Sequence, residues 1–239
     1  MTEMWADGPL AAFDVETDSA DPLDARIIQA ALYIDDPSDS SHCFTYLLQP
    51  VRDIDLGAVA VHGISTEHAT VHGEPPAAAL ADIVARLDQI ADAYGPVPLC
   101  IYNAPFDCTV LDRELRRHAL ADGYSIPLPL IDPMTADRKL DPYRRGRRTL
   151  TAVAAAYRIG IERAHQADGD VVTTVKLARA MGRKYPRFGR ADLGRLQQLQ
   201  RDAYREWAVH FQEYRRRNDP GFVCSPHWPM VPFTENVPA

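Results

Sequence analysis

The chain has 239 residues, 46% hydrophobic and 25% charged, a globular composition with length for one substantial domain or a domain carrying a helical appendage. No run of eighteen apolar residues occurs, so a membrane span is not expected. The net charge of −7 argues against a surface given over wholesale to phosphate binding.

Residues 1–8 carry acids and no basic segment, so a secretory signal is not expected either. Cysteines 43, 100, 108 and 224 are scattered without a Cys-x-x-Cys pair, and the first three lie in or near apolar runs. Reduced core thiols and a cytosolic (cytoplasmic) setting are expected.

Residues 10–15 begin as an apolar run that reads as a buried strand. Asp14 and Glu16 follow on alternate positions, and alternate side chains of a strand share a face. Two neighbouring buried anions repel unless a cation joins them, and the natural one is hard and oxygen-loving, Mg²⁺ or Mn²⁺. An isolated Asp-x-Glu is equally readable as a structural or solvated pair. A loop rich in Asp, Ser and Pro leads to a second strand over 26–34. A turn at 35–39 leads to a third strand over 42–48, completing an antiparallel meander.

Residues 75–94 read as a helix, with Leu80, Ile83, Val84, Leu87, Ile90 and Ala91 on one face. A short apolar strand is expected over 97–102, a helix over 105–118, a last strand over 128–131, and helices over 149–157 and 167–181. The order β-β-β-α-β-α-β-α-α describes an α/β fold with a mixed five-stranded sheet and helices on both faces. A break around Pro186 and Gly189 separates residues 1–182 from a C-terminal extension, 183–239. That extension holds a polar helix over 193–217, striped by Leu196, Leu199, Ala203, Trp207 and Phe211. A proline-rich tail follows, expected to pack back through Trp228, Met230 and Phe233.

Two basic groups interrupt the acidic background: Arg138, Lys139, Arg144, Arg145, Arg147 and Arg148, then Arg179, Arg183, Lys184, Arg187, Arg190 and Arg195. They read as solvated surface or, beside an acidic metal site, as phosphate holders.

Asp107 falls in the first turn of a helix that follows a buried strand, where the helix dipole favours a carboxylate. His165 is followed by Asp168 and Asp170, and spacing alone does not choose between the two acids. Four carboxylates from three elements plus one histidine are what a two-metal phosphodiesterase needs.

Phe13-Asp14-Val15-Glu16-Thr17, Asn103-Ala104-Pro105-Phe106-Asp107 and His165-x-Ala167-x-x-Asp170 resemble, in order, the three motifs of the DEDDh, or DnaQ-like, exonuclease family. Val61-His62-Gly63-Ile64-Ser65 resembles the family's short element between the first two motifs, and 150–159 its helix before the third. The resemblance covers about residues 9–182. It implies an RNase H-like fold and 3′→5′ exonuclease chemistry that releases nucleoside 5′-monophosphates, in a setting such as DNA replication or repair. It further implies that Asp14, Glu16, Asp107 and Asp170 bind two Mg²⁺ or Mn²⁺ ions, with His165 as general base. The family's five-residue spacing favours Asp170 over Asp168. By the same resemblance Thr17 and His62 line the terminal-nucleotide pocket, and Asn103 and Phe106 shape its wall; core packing is the competing role for Phe106.

Two departures stand out. Gly169 places a flexible residue before Asp170, which implies a mobile third-motif loop. Beyond residue 182 no clamp- or polymerase-binding motif is recognisable. The expected substrate is a single-stranded or frayed 3′ end of DNA. The alternatives are an RNA exonuclease of the RNase T or oligoribonuclease type, and a non-catalytic nucleic-acid-binding or scaffold protein on the same fold.

Overall fold

The computed structural model describes residues 4–161 and 167–234. After a 3₁₀ turn at Trp5–Asp7, the chain forms β1 (Leu10–Thr17), β2 (Ile27–Asp35) and β3 (His42–Leu47). Two short helices follow, α1 (Leu56–His62) and α2 (Thr66–His72), then α3 (Pro76–Tyr94), β4 (Leu99–Cys100), α4 (Ala104–Arg117) and β5 (Leu130–Ile131). The rest is helical: α5 (Pro133–Leu140), α6 (Leu150–Ala156), α7 (Ala167–Lys184), α8 (Pro186–Gly189) and α9 (Leu193–Arg216).

The strands form one sheet in the order β3-β2-β1-β4-β5. The first three make the expected antiparallel meander, from Leu10↔Asp35 to Glu16↔Gln29 and from Gln29↔Leu47 to Ile34↔His42. β4 and β5 run parallel to β1 (Ala11↔Leu99, Leu99↔Leu130). β1 is therefore central and covered on both faces, which explains its unbroken apolar start. Ala11, Phe13 and Val15 meet Leu80, Ile83 and Leu87 of α3 and Leu111 and Leu115 of α4. Leu10 and Ala12 meet Val171, Val175 and Ala178 of α7. Phe13 is fully enclosed, and its truncation to Ala would cost about 3–5 kcal/mol.

The regular parts of β4 and β5 are shorter than the apolar runs around them. Val97 and Leu128 are buried beyond the ladder, where apolarity reports enclosure rather than pairing, while Ile101 N–H still donates to Ile131 O at 3.0 Å. The short helices between β3 and α3 carry no readable periodicity, yet both have local signals. Gly63, at φ +76°, ends α1 with its N–H on Val59 O, and Ser65 Oγ caps α2 by accepting from His68 N–H. α5 also went unanticipated. Its signature is Asp132-Pro133: the Asp132 carboxylate accepts from the N–H groups of Met134 and Thr135, and Pro133 opens the helix.

The extension packs on the body, but on a face one residue out of step with the expected stripe. Leu196, Gln200, Tyr204 and Ala208 are the buried positions of α9, whereas Leu199 is 49% exposed. Gln200 explains the shift. Its Oε1 accepts from Asp132 N–H at 2.7 Å and its Nε2 donates to Leu130 O at 2.9 Å, so an amide side chain satisfies the open edge of β5. Trp207 is half-buried against the core and also stacks on Phe211, centroids 5.0 Å apart. The tail does return: Trp228 is buried in the core, and Val231 N–H donates to Thr109 Oγ1 at 2.9 Å. Phe233 stays 46% exposed, beneath the guanidinium of Arg116.

Cys100 and Cys108 are buried as expected, but Cys43 is exposed because β3 is the edge strand; all four cysteines are free. Among the described residues no helix is long and apolar enough to cross a membrane.

Candidate active site

The alternation that sends Leu10 and Ala12 toward α7 sends Asp14 and Glu16 the same way, at the end of the strand where apolar cover gives out. A register irregularity between Glu16 and Thr17 turns the strand end beside the cluster. Asp170 comes from the opposite side, in the first turn of α7. Asp14, Glu16 and Asp170 each offer one carboxylate oxygen, all lying within 4.8 Å of one another. Asp168, its competitor in the sequence, is not in this group; its Oδ1 accepts from Gly169 N–H at 2.9 Å. Gly169 is buried inside the first turn of α7, so the expected third-motif loop is helix at this residue.

Asp107 approaches along the sheet. Ala11 N–H donates to Pro98 O, and donors on that edge of β1 recur every second residue. By Val15 the neighbouring chain has left the sheet to start α4, and Val15 N–H donates to Asp107 Oδ1 at 3.0 Å instead. Asp107 thus continues the ladder where β4 stops. It stands outside the tight group of three, yet its charge is felt by Asp14.

The electrostatics of Asp14, Glu16 and Asp107 are set by burial and by the neighbouring carboxylates. Burial first, then the charges of Asp107, Asp170 and Glu16, hold the Asp14 carboxyl well above the usual range. Burial, then Asp170, pushes Glu16 up to about 7. Burial also raises Asp107, opposed by the hydrogen bond from Val15. The donor set fits a hard divalent ion. Bonds of about 2.1 Å place ligand oxygens across such an ion about 4 Å apart, so small side-chain shifts would bring the three oxygens onto one ion.

Beside the carboxylates opens a cleft of ≈ 660 Å³, lined by Glu16, Thr17, Ser19, Leu56, His62 and Phe106 among others. That is within the size range of small-molecule sites. His62 is buried; its Nδ1 accepts from Ile64 N–H at 3.1 Å, leaving Nε2 as the donor to Thr17 O at 3.3 Å. Burial lowers its pKa, consistent with a neutral ring locked in one tautomer. Thr17 Oγ1 donates to Ser19 O at 2.7 Å. Phe106 does both things expected of it, packing on the core and lining the cleft. Asn103 sits behind, in the left-handed conformation (φ 67°), its N–H on Asp132 Oδ1 at 3.1 Å. His165 lies outside the described residues.

Sequence reading passed over Leu56 and gave Val61 no role beyond its place in the short element; both line the cleft while 87% and 56% exposed. It also assigned too much to the basic groups. Arg144 and Arg148 both pair with buried Asp137, Arg138 stacks on Trp207 at 3.6 Å, and Arg179 grips Asp35 and the carbonyls of Ala6 and Gly8. These arginines hold the fold together.

The family model for the exonuclease domain called RNase_T matches residues 11–178. A curated relative, "DNA polymerase III PolC-type" of Lacticaseibacillus paracasei, is 26% identical over 192 residues, covering 80% of this chain and 12% of that protein. Among solved structures, E. coli exonuclease I in complex with a dA16 oligonucleotide matches with TM-score 0.62 at 23% identity, over 76% of this chain and 42% of that one. Exonuclease I from Methylocaldum szegediense matches with TM-score 0.59 at 23% identity, with the same coverage of both chains. The fold is shared, while this chain spans less than half the length of these proteins.

Proposed function

This chain belongs to the exonuclease family whose model spans residues 11–178, and from that premise we propose that it is a metal-dependent 3′→5′ exonuclease acting on DNA. The observation that carries the proposal is the convergence of Asp14, Glu16 and Asp170 oxygens within 4.8 Å, with Asp107 held at their side. Asp14, Glu16, Asp107 and Asp170 would hold two divalent ions, Mg²⁺ or Mn²⁺, which when bound supply water activation and stabilisation of the leaving oxygen.

The protein's own groups do the rest. His165 takes the proton of the attacking water, as an imidazole does near neutral pH. The 3′-terminal nucleoside enters the cleft beside Thr17, against Phe106. His62, locked as a neutral donor to Thr17 O, fixes the floor of that cleft relative to β1. Asn103 aims the start of α4, and with it Asp107. The product is a nucleoside 5′-monophosphate.

Residues 1–182 form the catalytic body in this reading. Residues 183–239 buttress it, because Gln200 closes the β5 edge. The dA16 oligonucleotide bound to E. coli exonuclease I supports a single-stranded or frayed DNA end as substrate. Free thiols at all four cysteines support work in the cytosol.

The test is a panel of matched single- and double-stranded DNA and RNA oligonucleotides with free or blocked 3′ ends. With Mg²⁺ or Mn²⁺, 5′-monophosphates should leave free 3′ ends of single-stranded DNA fastest. A preference for RNA would correct the substrate, and full activity in EDTA would overturn the metal assignment.

A further inference from the structure

The connection 141–149 between α5 and α6 is built unlike an ordinary surface loop. Its two ends are clamped from inside. Arg144 Nη2 donates to Asp137 Oδ2 at 2.6 Å, Arg148 pairs with the same fully buried carboxylate, and Arg148 Nη2 also donates to Asp141 O at 2.8 Å. Between these anchors the chain turns through Gly146, at φ +98°. The residues that do not face Asp137 face outward: Tyr143 is 93% exposed, and Arg145 and Arg147 are exposed beside it. Among the described residues none of these three side chains has a hydrogen bond, an ion pair or a ring contact. An aromatic ring and two cations are thus presented on a rigid base, on a chain whose net charge is −7.

Their location gives this a meaning. The cleft lies on the β2 side of β1, since its wall α1 is tied to the β1–β2 connection by Asp55 N–H on Asp18 O at 3.0 Å. β4 and β5 lie on the other side of β1, parallel to it, and all three strands release the chain at one edge of the sheet. The 141–149 connection stands at that edge: Tyr102, just past β4, donates from its hydroxyl to Arg148 O at 2.7 Å. Cleft, carboxylates and clamped loop therefore follow one another along the same rim.

We infer that Tyr143, Arg145 and Arg147 form a binding site for single-stranded nucleic acid upstream of the scissile bond. Tyr143 stacks on a base, and the two arginines contact phosphates. This rests on the proposed exonuclease reading for the direction of the strand. A strand whose 3′ nucleotide sits in the cleft and whose phosphate meets the carboxylates continues toward β4 and β5, onto this loop. Stacking plus backbone charge is how proteins hold single strands without reading sequence. A stiff duplex presents no unstacked base to Tyr143, so the site favours frayed or single-stranded ends.

Binding of 5′-fluorescein oligothymidylates of two and ten nucleotides, followed by anisotropy in EDTA, tests this without turnover. Tyr143→Ala should weaken the ten-nucleotide complex on the order of tenfold, as loss of one stacked base does. The pair Arg145→Ala and Arg147→Ala should make the dependence of log affinity on log salt shallower by about 1.4, two phosphates at roughly 0.7 each. The two-nucleotide complex should be unchanged in all variants. Unchanged binding of the longer strand, or equal weakening of both lengths, would overturn the inference. Absence of nucleotide release by the unaltered protein with Mg²⁺ would strike the exonuclease reading alone.

Discussion

Carboxylates near the ends of two strands of one sheet, Asp14 on β1 and Asp132 after β5, have opposite surroundings. Asp132, after β5, is fully buried, and burial raises its pKa. Yet it accepts from the N–H groups of Asn103, Met134 and Thr135 and from the Thr135 hydroxyl. Asp14, within β1, is raised by burial too, but its next influences are three other carboxylates. Asp132 is a structural anion whose compensation is built into the chain. Asp14 belongs to a group whose members raise one another's pKa, an effect that a bound cation would offset. Burial of an acid does not mark a site; carboxylates gathered so that they raise one another's pKa do.

The largest expected effect separates the two by activity. Asp14→Asn should lower kcat by about 10³-fold or more, since a ligand to the reaction's metals is lost, while its melting temperature in EDTA holds or rises as repulsion is relieved. Equal melting losses in Asp14→Asn and Asp132→Asn would break the comparison.

Asp132→Ala should cost stability instead, about 2–4 kcal/mol from a lost helix cap and orphaned buried donors. Urea denaturation reads this directly, and a variant within ~0.5 kcal/mol of the original would contradict the structural role.

Metal should sharpen the contrast next. Saturation at about 100 times the dissociation constant adds about 2.7 kcal/mol, or roughly 5–10 °C, to the unaltered protein and little to Asp14→Asn. Calorimetry with and without Mn²⁺ checks it.

The smallest effect is the pH dependence of the metal-free fold. Glu16 moves from 4.5 in the unfolded chain to about 7 in the folded one, so the folded state holds its proton more tightly. Its stabilising contribution is complete below pH 4.5 and is lost as pH rises through about 7. Melting in EDTA should show that decline, and the stabilisation by Mn²⁺ should be larger at pH 8 than at pH 5.5. A metal effect independent of pH would remove Glu16 from the site.

The legible parts of the sequence were those with strict periods. Asp14 and Glu16 continue the alternation of Leu10 and Ala12, so their common face followed from strand geometry alone. Asp107 in a first helical turn and the apolar face of α3 were readable for the same reason. The basic groups were not readable in this way. Arg144, Arg145, Arg147 and Arg148 are chemically alike in sequence, and only the buried carboxylate of Asp137 decides which two turn inward. The face of α9 was missed by one residue because a polar side chain, Gln200, is what the open edge of β5 requires.

By itself the sequence determined the order of the strands and of the longer helices, the two-sided burial of β1 and the common face of Asp14 and Glu16, because repeat patterns and charge are local properties. Tertiary structure decided what spacing alone left open, that Asp170 rather than Asp168 joins Asp14 and Glu16, as the resemblance implied. It alone decided that Asp107 completes the ladder abandoned by β4, and that Tyr143, Arg145 and Arg147 are left facing outward. Those outcomes depend on which partner each group meets across the fold, and distance along the chain does not encode that.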